Sequence, residues 1–166
     1  MGIAETWVQI ESTLGPRWAP WPRGATSKSI AGCERALGRT LPTDYRESVI
    51  IHDGSRSFMG AYELSSLDEV IETATMFDEI VASLPSPRSG ELRTVGPVEA
   101  RRWNHSLIPI ARTTSADTVL LDLEPLPLGN VGQVVHMTRE MTVLRVLAPS
   151  FAVWLEQVAS ELPREG

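Results

Sequence analysis

The chain has 166 residues, of which 42% are apolar, and a formal net charge of −6. A chain of this length fits one domain and can bury roughly 70% of the surface that its unfolded form exposes. The acidic excess disfavours nucleic acid as a partner, because phosphates and carboxylates repel each other. No apolar run approaches membrane-spanning length and the N-terminus does not resemble a signal peptide, so we expect one cytoplasmic domain over residues 1–166 that binds neither nucleic acid nor membrane.

The N-terminal segment is predicted to be one helix followed by an extended stretch. Apolar residues at helical spacing run from Trp7 to Leu14, and Gly15 can end the helix. The stretch from Arg17 to Arg23 is rich in proline and tryptophan, and residues that precede proline disfavour helix. We interpret its Trp18 and Trp21 as a lid over the core, with ligand binding as the alternative.

A second helix is defined by both of its ends. Thr26 or Ser27 can cap its first N–H groups, and Gly38 can end it in the left-handed conformation. Its apolar residues at helical spacing are Ile30, Cys33 and Leu37. The single cysteine is therefore interpreted as a small buried hydrophobe rather than a nucleophile.

A third helix is predicted from Pro42, placed at the first helical position, where its missing N–H costs nothing. Its buried side is expected to carry Tyr45, Val49 and Ile50. The pair Asp53-Gly54 then favours a turn.

A fourth helix combines an apolar stripe with a strip of carboxylates. It is predicted to follow a strand over Phe58 to Leu64, and Ser66 with Glu69 has the spacing of a capping box. The stripe consists of Val70, Ala74, Phe77, Val81 and Leu84, and the opposite side carries Asp68, Glu72 and Glu79. Because no lysine or arginine occurs from Ser57 to Pro87, we expect an exposed acidic strip.

The C-terminal half is predicted to be a β-meander covered by a final helix. A short helix over Glu99 to Trp103 would precede it, and a long loop over Pro125 to Gly132 would interrupt it. The predicted strands are Leu107 to Ala111, Val119 to Glu124, Gln133 to Thr138 and Thr142 to Leu147. Ser150 can cap the final helix, whose apolar face is expected to pack on the sheet.

Catalytic and metal-binding motifs are weakly represented. His52, His105 and His136 lack metal-ligand spacing, and the chain has neither a nucleophile elbow nor a phosphate-binding glycine loop. Asp122 and Glu124 would share one strand face, where we interpret them as solvated carboxylates, with a cation or acid/base role as the alternative. We therefore predict no catalytic residue, no metal and no cofactor.

Residues distributed over most of the chain resemble the SMI1/KNR4 family, also called the SUKH superfamily. The N-terminal matches are Gly24, Ala25, Ile30, Glu34, Leu37, Gly38, Leu41, Pro42, Asp44, Tyr45, Arg46, Asp53 and Gly54. The C-terminal matches are Ile108 to Ala111, Leu121 to Leu123, Gly129, Gly132 to Val134 and Ser150 to Leu155. One departure from the family pattern is Asp53, because many members have asparagine there.

The resemblance implies an α+β fold, with a mixed or antiparallel sheet and helices packed around it, that acts by binding proteins. Bacterial relatives include immunity proteins that neutralise toxins, often nucleases, and fungal relatives are associated with control of cell-wall synthesis. The first hypothesis is therefore an immunity-type protein that binds a basic toxin, and the second is a regulatory scaffold with an endogenous partner. A third hypothesis, an enzyme or small-molecule binder, is held as the least favoured.

Two sets of residues are candidates for these functions. For protein binding, the candidates are the acidic strip (Asp68, Glu72, Glu79) and three residues in the turn that follows the third helix. These three residues are Asp53, Arg56 and Met59. For a small ligand, a pocket would be bounded by Trp18, Trp21, His52, Asp122 and Gln133.

Overall fold

The computed structural model describes residues 1–55 and 59–164. Within these ranges the chain forms five α-helices, one short 3-10 turn at Pro16–Trp18, and six strands of a single mixed sheet. The helices are α1 (Ile3–Leu14), α2 (Ser27–Leu37), α3 (Thr43–Ile51), α4 (Leu67–Ser83) and α5 (Phe151–Glu161). The strands are β1 (Tyr62–Leu64), β2 (Arg93–Val95), β3 (Leu107–Thr113), β4 (Thr118–Asp122), β5 (Gln133–Met137) and β6 (Val143–Ala148). The expected α+β fold is confirmed.

The sheet has the strand order β1-β3-β4-β5-β6-β2. Strands β3 to β6 form the predicted antiparallel meander, with bounds within two residues of those expected. At the edges, β1 pairs antiparallel with β3 and β2 pairs parallel with β6. Every residue of β4 is buried, so both faces of the sheet are covered at its centre.

Strand β2 was not predicted, and the helix predicted over Glu99 to Trp103 was wrong, since that segment has no helical turn. Only three residues long and exposed throughout, β2 has no alternation of buried and exposed residues that a sequence pattern could reveal. Its conformation depends on pairing with β6, whose residues lie about fifty positions further along the chain.

The helix ends follow the expected side-chain chemistry. The hydroxyls of Thr26, Ser66 and Ser150 each accept a hydrogen bond from the N–H three residues ahead, at 3.1–3.2 Å. Gly38 ends α2 with a φ of 67°, which is the left-handed conformation predicted for it. Pro42 lies one position before α3 rather than at its first residue.

The buried side of α3 differs from the prediction at one residue. Tyr45 and Val49 are buried, whereas Ile50 is 54% exposed. At 100° per residue Ile50 lies about 140° around the helix from Tyr45, too far to share its side. Ser48 is buried instead, and its hydroxyl accepts a hydrogen bond from Trp7 Nε1 at 2.9 Å.

The core is one cluster of buried apolar side chains between the sheet and the helices. Helices α1, α3 and α5 contact one another and α5 lies against β5 and β6, while α4 contacts α2 and β3. Cys33 belongs to this cluster, as expected for a small hydrophobe. Burial, with a contribution from nearby carboxylates such as Asp53, raises the pKa of the Cys33 thiol to about 11.

Two carboxylates of the signature region join α3 to later parts of the chain. Asp44 Oδ2 accepts the Ala152 N–H in the first turn of α5 at 2.9 Å, and Asp53 Oδ1 accepts the Leu67 N–H at the start of α4 at 2.8 Å. Each negative charge therefore lies at the positive end of a helix dipole. These two half-buried signature residues therefore help to position α5 and α4.

Candidate functional site

The outer face of α4 is acidic, as predicted. Asp68, Glu72 and Glu79 are exposed, and the opposite face buries Val70, Ala74 and Phe77. In the last turn and a half the predicted stripe ends, because Val81 is half-buried and Leu84 is exposed. The exposed acidic strip is confirmed, and its role in protein binding stays a prediction.

A cleft of about 720 Å³ runs beside this strip, between α4 and strands β1 and β3. We call it the acidic cleft because Glu63 of β1 and Glu69 and Glu72 of α4 line it, together with the half-exposed Met76. Glu63 Oε2 lies 2.9 Å from Arg112 Nη2, whereas neither Glu69 nor Glu72 pairs with a cation among the described residues. Within residues 1–55 and 59–164, two carboxylates beside an exposed thioether therefore have no neutralising partner.

Asp78 does not belong to this free acidic surface. Its carboxylate accepts hydrogen bonds from Trp103 Nε1 at 2.9 Å and contacts His105 Nε2 at 2.8 Å. The Trp103 hydrogen bond, reinforced by His105, lowers the pKa of Asp78 below its usual value. The residue ties the end of α4 to the segment before β3.

Of the three predicted contact residues in the turn after α3, the structure describes Asp53 and Met59, and neither is fully exposed. Asp53 is half-buried and bound to the Leu67 N–H, and Met59 is fully buried, so the expectation that Met59 contacts a partner is corrected by its burial. Arg56 lies outside the described residues. The turn itself has a structural role, since Gly54 has a φ of 87° and a Cβ there would lie 2.8 Å from the Ser66 nitrogen.

Asp53→Asn is expected to keep or raise the melting temperature at pH 7. Asparagine can still accept the hydrogen bond from the Leu67 N–H. It also removes the Asp53 carboxyl, whose pKa is raised chiefly by burial. Because the folded-state pKa lies above the unfolded value, the wild-type carboxyl makes stability fall as pH rises through the window above 3.8. Melting curves from pH 3.5 to 7 should therefore show that the variant lacks this fall.

Asp53→Ala serves as the control, because it removes the acceptor as well as the charge. It should melt below both the wild type and Asp53→Asn at pH 7. If Asp53→Asn melted at as low a temperature as Asp53→Ala, the prediction that the amide maintains stability would be wrong.

The candidate pocket residues near the N-terminus form an aromatic cluster. Trp18 stacks on Trp21 with ring centroids 6.3 Å apart, and Trp21 lies 5.4 Å from His52 and 5.7 Å from Trp7. Both ring nitrogens of His52 have partners, namely Glu11 Oε1 at 2.7 Å and a backbone carbonyl at 2.8 Å. These contacts favour the interpretation of the two tryptophans as a lid.

The other two pocket candidates meet in a buried polar network. Asp122 is fully buried, which corrects the expectation of a solvated carboxylate; Glu124 is exposed as expected. Asp122 Oδ1 lies 3.0 Å from Arg101 Nη2 and 3.0 Å from the Glu124 nitrogen. Its Oδ2 accepts from Gln133 Nε2 at 3.0 Å, and Arg101 Nη1 pairs with Glu99 at 2.9 Å. Sequence reasoning missed Arg101, which no pattern connects to Asp122.

These two groups lie toward opposite ends of α3. A Cβ on Gly132, the neighbour of Gln133, would lie 3.4 Å from Pro42 at the start of α3, and His52 follows its last residue. Ten residues at a rise of 1.5 Å separate the two ends by about 15 Å. The structure therefore gives two local clusters where the sequence suggested one pocket.

The lining of the acidic cleft contains several kinds of polar group. The described residues that line it supply carboxylates, hydroxyls and one guanidinium, but no histidine or cysteine. No group of three or more His, Cys, Asp or Glu among residues 1–55 and 59–164 could hold a metal ion. Nor does any helix in these ranges combine the length and apolarity needed to cross a bilayer.

The fold and this surface define an α+β protein with an exposed acidic cleft. Residues 24–157 match the model of the SMI1 / KNR4 family (SUKH-1), so the chain belongs to the SMI1/KNR4 family. This match covers the signature residues of both halves, and it confirms the resemblance seen in the sequence.

Two fungal proteins are similar to 96% of the chain. They are the cell wall biosynthesis/cell cycle regulator smi1 of Schizosaccharomyces pombe, 26% identical over 186 residues, and a glucan synthesis regulatory protein of Neurospora crassa, 23% identical over 208 residues. The chain spans only 36% and 38% of the lengths of these relatives.

Proposed function

We propose that the chain is a non-enzymatic module that binds a basic protein through the acidic cleft and the strip beside it. The observation that carries this proposal is that Glu69 and Glu72, next to Met76 in a cleft of about 720 Å³, pair with no cation in the part of the chain that the structure describes. Carboxylates beside exposed apolar surface suit the long side chains of lysine and arginine, whose stems are apolar and whose ends are cationic. A single sign of charge also speeds encounter with an oppositely charged partner.

Two biological roles fit such a module. A regulatory scaffold is supported by the names of the fungal relatives, both of which are described as regulators. An immunity-type protein that neutralises a toxin is supported by the acidic surface alone, since many basic toxin surfaces could be covered by it. In either role the module acts by binding to a surface of its partner.

The first test reverses the acidic strip with the triple variant Asp68→Lys, Glu72→Lys and Glu79→Lys. We expect association with the partner, captured from the source organism and identified by mass spectrometry, to slow at least tenfold at low salt. The dependence of the association rate on ionic strength should also flatten. Stopped-flow or surface-based kinetics at several salt concentrations give both values.

A matched control separates local charge from net charge. The triple variant Glu5→Lys, Glu140→Lys and Glu161→Lys changes three exposed carboxylates elsewhere and likewise raises the net charge from −6 to zero. It should slow association by less than threefold. Equal effects of the two triple variants would remove the acidic strip from the proposed interface.

The identity of the captured partner decides between the two roles. An endogenous protein of the cell envelope or of its synthesis, with altered wall composition after deletion of the gene, supports the regulatory scaffold. A toxin encoded beside the gene, whose activity is blocked by the purified chain, supports the immunity role. Turnover of a substrate by the purified chain alone would overturn both.

A further inference from the structure

The loop between β4 and β5 exposes large apolar side chains on a surface separate from the acidic cleft. We call residues 123–132 the apolar loop. Within it, Leu128 is 92% exposed, Val131 is 74% exposed and Leu126 is 43% exposed. Side chains at such exposed positions contribute no burial free energy to the core. Exposed apolar residues that occur together ordinarily mark contact sites.

The backbone of the apolar loop is fixed by hydrogen bonds. The Leu126 N–H donates to the Pro97 carbonyl at 3.2 Å, and the Gly129 N–H donates back to the Leu126 carbonyl at 2.8 Å. At its end, the Gly132 N–H donates to the Asp122 carbonyl at 2.7 Å. The loop is thus closed on itself and attached to the segment after β2.

Gln133 supports the loop from beneath. Its Nε2 donates to the Pro97 carbonyl at 3.0 Å, and its Oε1 accepts the Asn130 N–H at 3.3 Å. A Cβ on Gly129 would lie 2.7 Å from Pro125 Cβ and 2.8 Å from Gln133 Oε1, so only glycine permits this packing. Because these contacts already hold the loop in the folded protein, little further ordering is needed when a partner binds.

Two cations beside the apolar loop, Arg39 and Arg101, are paired with carboxylates. Arg39 Nη2 lies 3.0 Å from Glu124 Oε1, and Arg101 lies 3.0 Å from Asp122 and 2.9 Å from Glu99. The loop also begins at the opposite end of β4 from the cleft, since Thr118 lines the cleft and Asp122 precedes the loop. The four residue steps from Thr118 to Asp122 separate the two surfaces by about 14 Å, a distance that one interface can span.

We propose that the apolar loop is a preformed anchor, in which Leu128 and Val131 fill an apolar pocket on the same protein that the acidic cleft attracts. This inference rests on the proposed function and adds a second, uncharged contact to it. The cleft then governs how fast the partner arrives, and the loop governs how long it stays.

The exposed area favours this occupant over the alternatives. Three side chains offer a few hundred Å², whereas a stable dimer buries roughly 800 Å² per subunit, so the loop suits insertion into a pocket within a larger interface. Loops and helices that insert into membranes are ordinarily flanked by unpaired basic residues. Here the flanking cations Arg39 and Arg101 are paired with carboxylates.

The first experiment places a photocrosslinker, benzoylphenylalanine, at position 128 of the full-length protein in its source organism. We expect an adduct with one heterologous protein, and the same protein should be trapped from position 76 in the acidic cleft. Position 8 on α1 is the control, because Val8 is 66% exposed and belongs to a helix about 120 residues before the loop in sequence. Absence of an adduct at 128, or an adduct only with lipid or with a second copy of the chain, would overturn the proposal.

The second experiment measures binding of the trapped protein to purified variants. Leu128→Ala should raise the dissociation rate at least tenfold and leave the salt dependence of association unchanged, and Val8→Ala should change neither by more than twofold. Reversal of the acidic strip should instead change the association rate. If Leu128→Ala binds like the wild type while strip reversal slows association, the anchor is wrong and the proposed function stands. The reverse result retains the anchor and removes the acidic strip.

Discussion

Asp122→Ala is expected to lower the free energy of unfolding by about 3–5 kcal/mol, a large part of the stability of a chain of this size. The wild-type carboxylate is fully buried and receives hydrogen bonds from Arg101 Nη2, Gln133 Nε2 and the Glu124 N–H, each at 3.0 Å. Alanine would remove one acceptor from all three donors and the buried counter-charge from Arg101, although Gln133 Nε2 would keep the Pro97 carbonyl and Arg101 Nη2 the Glu124 carbonyl as acceptors. Removing one member of a buried charge pair costs more than the pair contributes, because the remaining charge stays desolvated.

Denaturant unfolding at pH 7 checks this result, with two further variants as references. Glu124→Ala, two residues along, removes an exposed carboxylate paired with Arg39 and should cost less than about 1 kcal/mol. Asp122→Asn keeps an acceptor oxygen and should fall between the two. A loss for Asp122→Ala as small as that of Glu124→Ala would show that the network does not hold the fold together.

Gly24→Ala is expected to cost about 3 kcal/mol, through a clash that no side-chain movement can relieve. A Cβ at this position would lie 1.7 Å from the Ile50 carbonyl oxygen and 2.6 Å from its carbon. The two backbone segments are held together on either side by Ala25 N–H to Val49 carbonyl and Asp53 N–H to Arg23 carbonyl hydrogen bonds, at 2.7 and 3.0 Å. Separating the segments to admit one methyl group would break both.

Gly32→Ala is the matched control for this substitution. Gly32 lies inside α2, and a Cβ there would meet only the end of the Arg35 side chain at 3.8 Å. Alanine should therefore stabilise the helix by about 0.5–1 kcal/mol. Thermal melts of the two variants should move in opposite directions, and a Gly24→Ala protein that melts with the wild type would contradict the close approach.

Helix positions could be predicted because their determinants are local. Thr26, Ser66 and Ser150 each provide a capping hydroxyl just before an apolar repeat. Gly38 can adopt the left-handed conformation that ends α2. The four strands of the meander were predicted for a similar reason, since each is a short apolar run between turn residues. The acidic strip followed from helical geometry once α4 had been placed.

Other features could not be predicted because they depend on residues far apart in the chain. Asp122 was interpreted as a solvated strand residue, because no nearby sequence pattern indicates its contact with Arg101, 21 positions earlier in the chain. The role of Gly24 is equally non-local, because the obstacle is the carbonyl of Ile50. The exposed apolar loop was predicted only as a long loop, since an apolar run can be buried or exposed with the same sequence pattern.

The sequence by itself determined where the helices and central strands lie, which face of α4 is acidic, and which family the chain resembles. These properties arise from spacing, capping and composition within a few residues. Tertiary structure alone decided that Asp122 is buried in an ion network, that Trp18 and Trp21 lie apart from it, and that Leu128 remains exposed on a rigid loop. The physical reason is that burial and charge pairing are set by neighbours in space, whereas a helix or strand is largely set by neighbours along the chain.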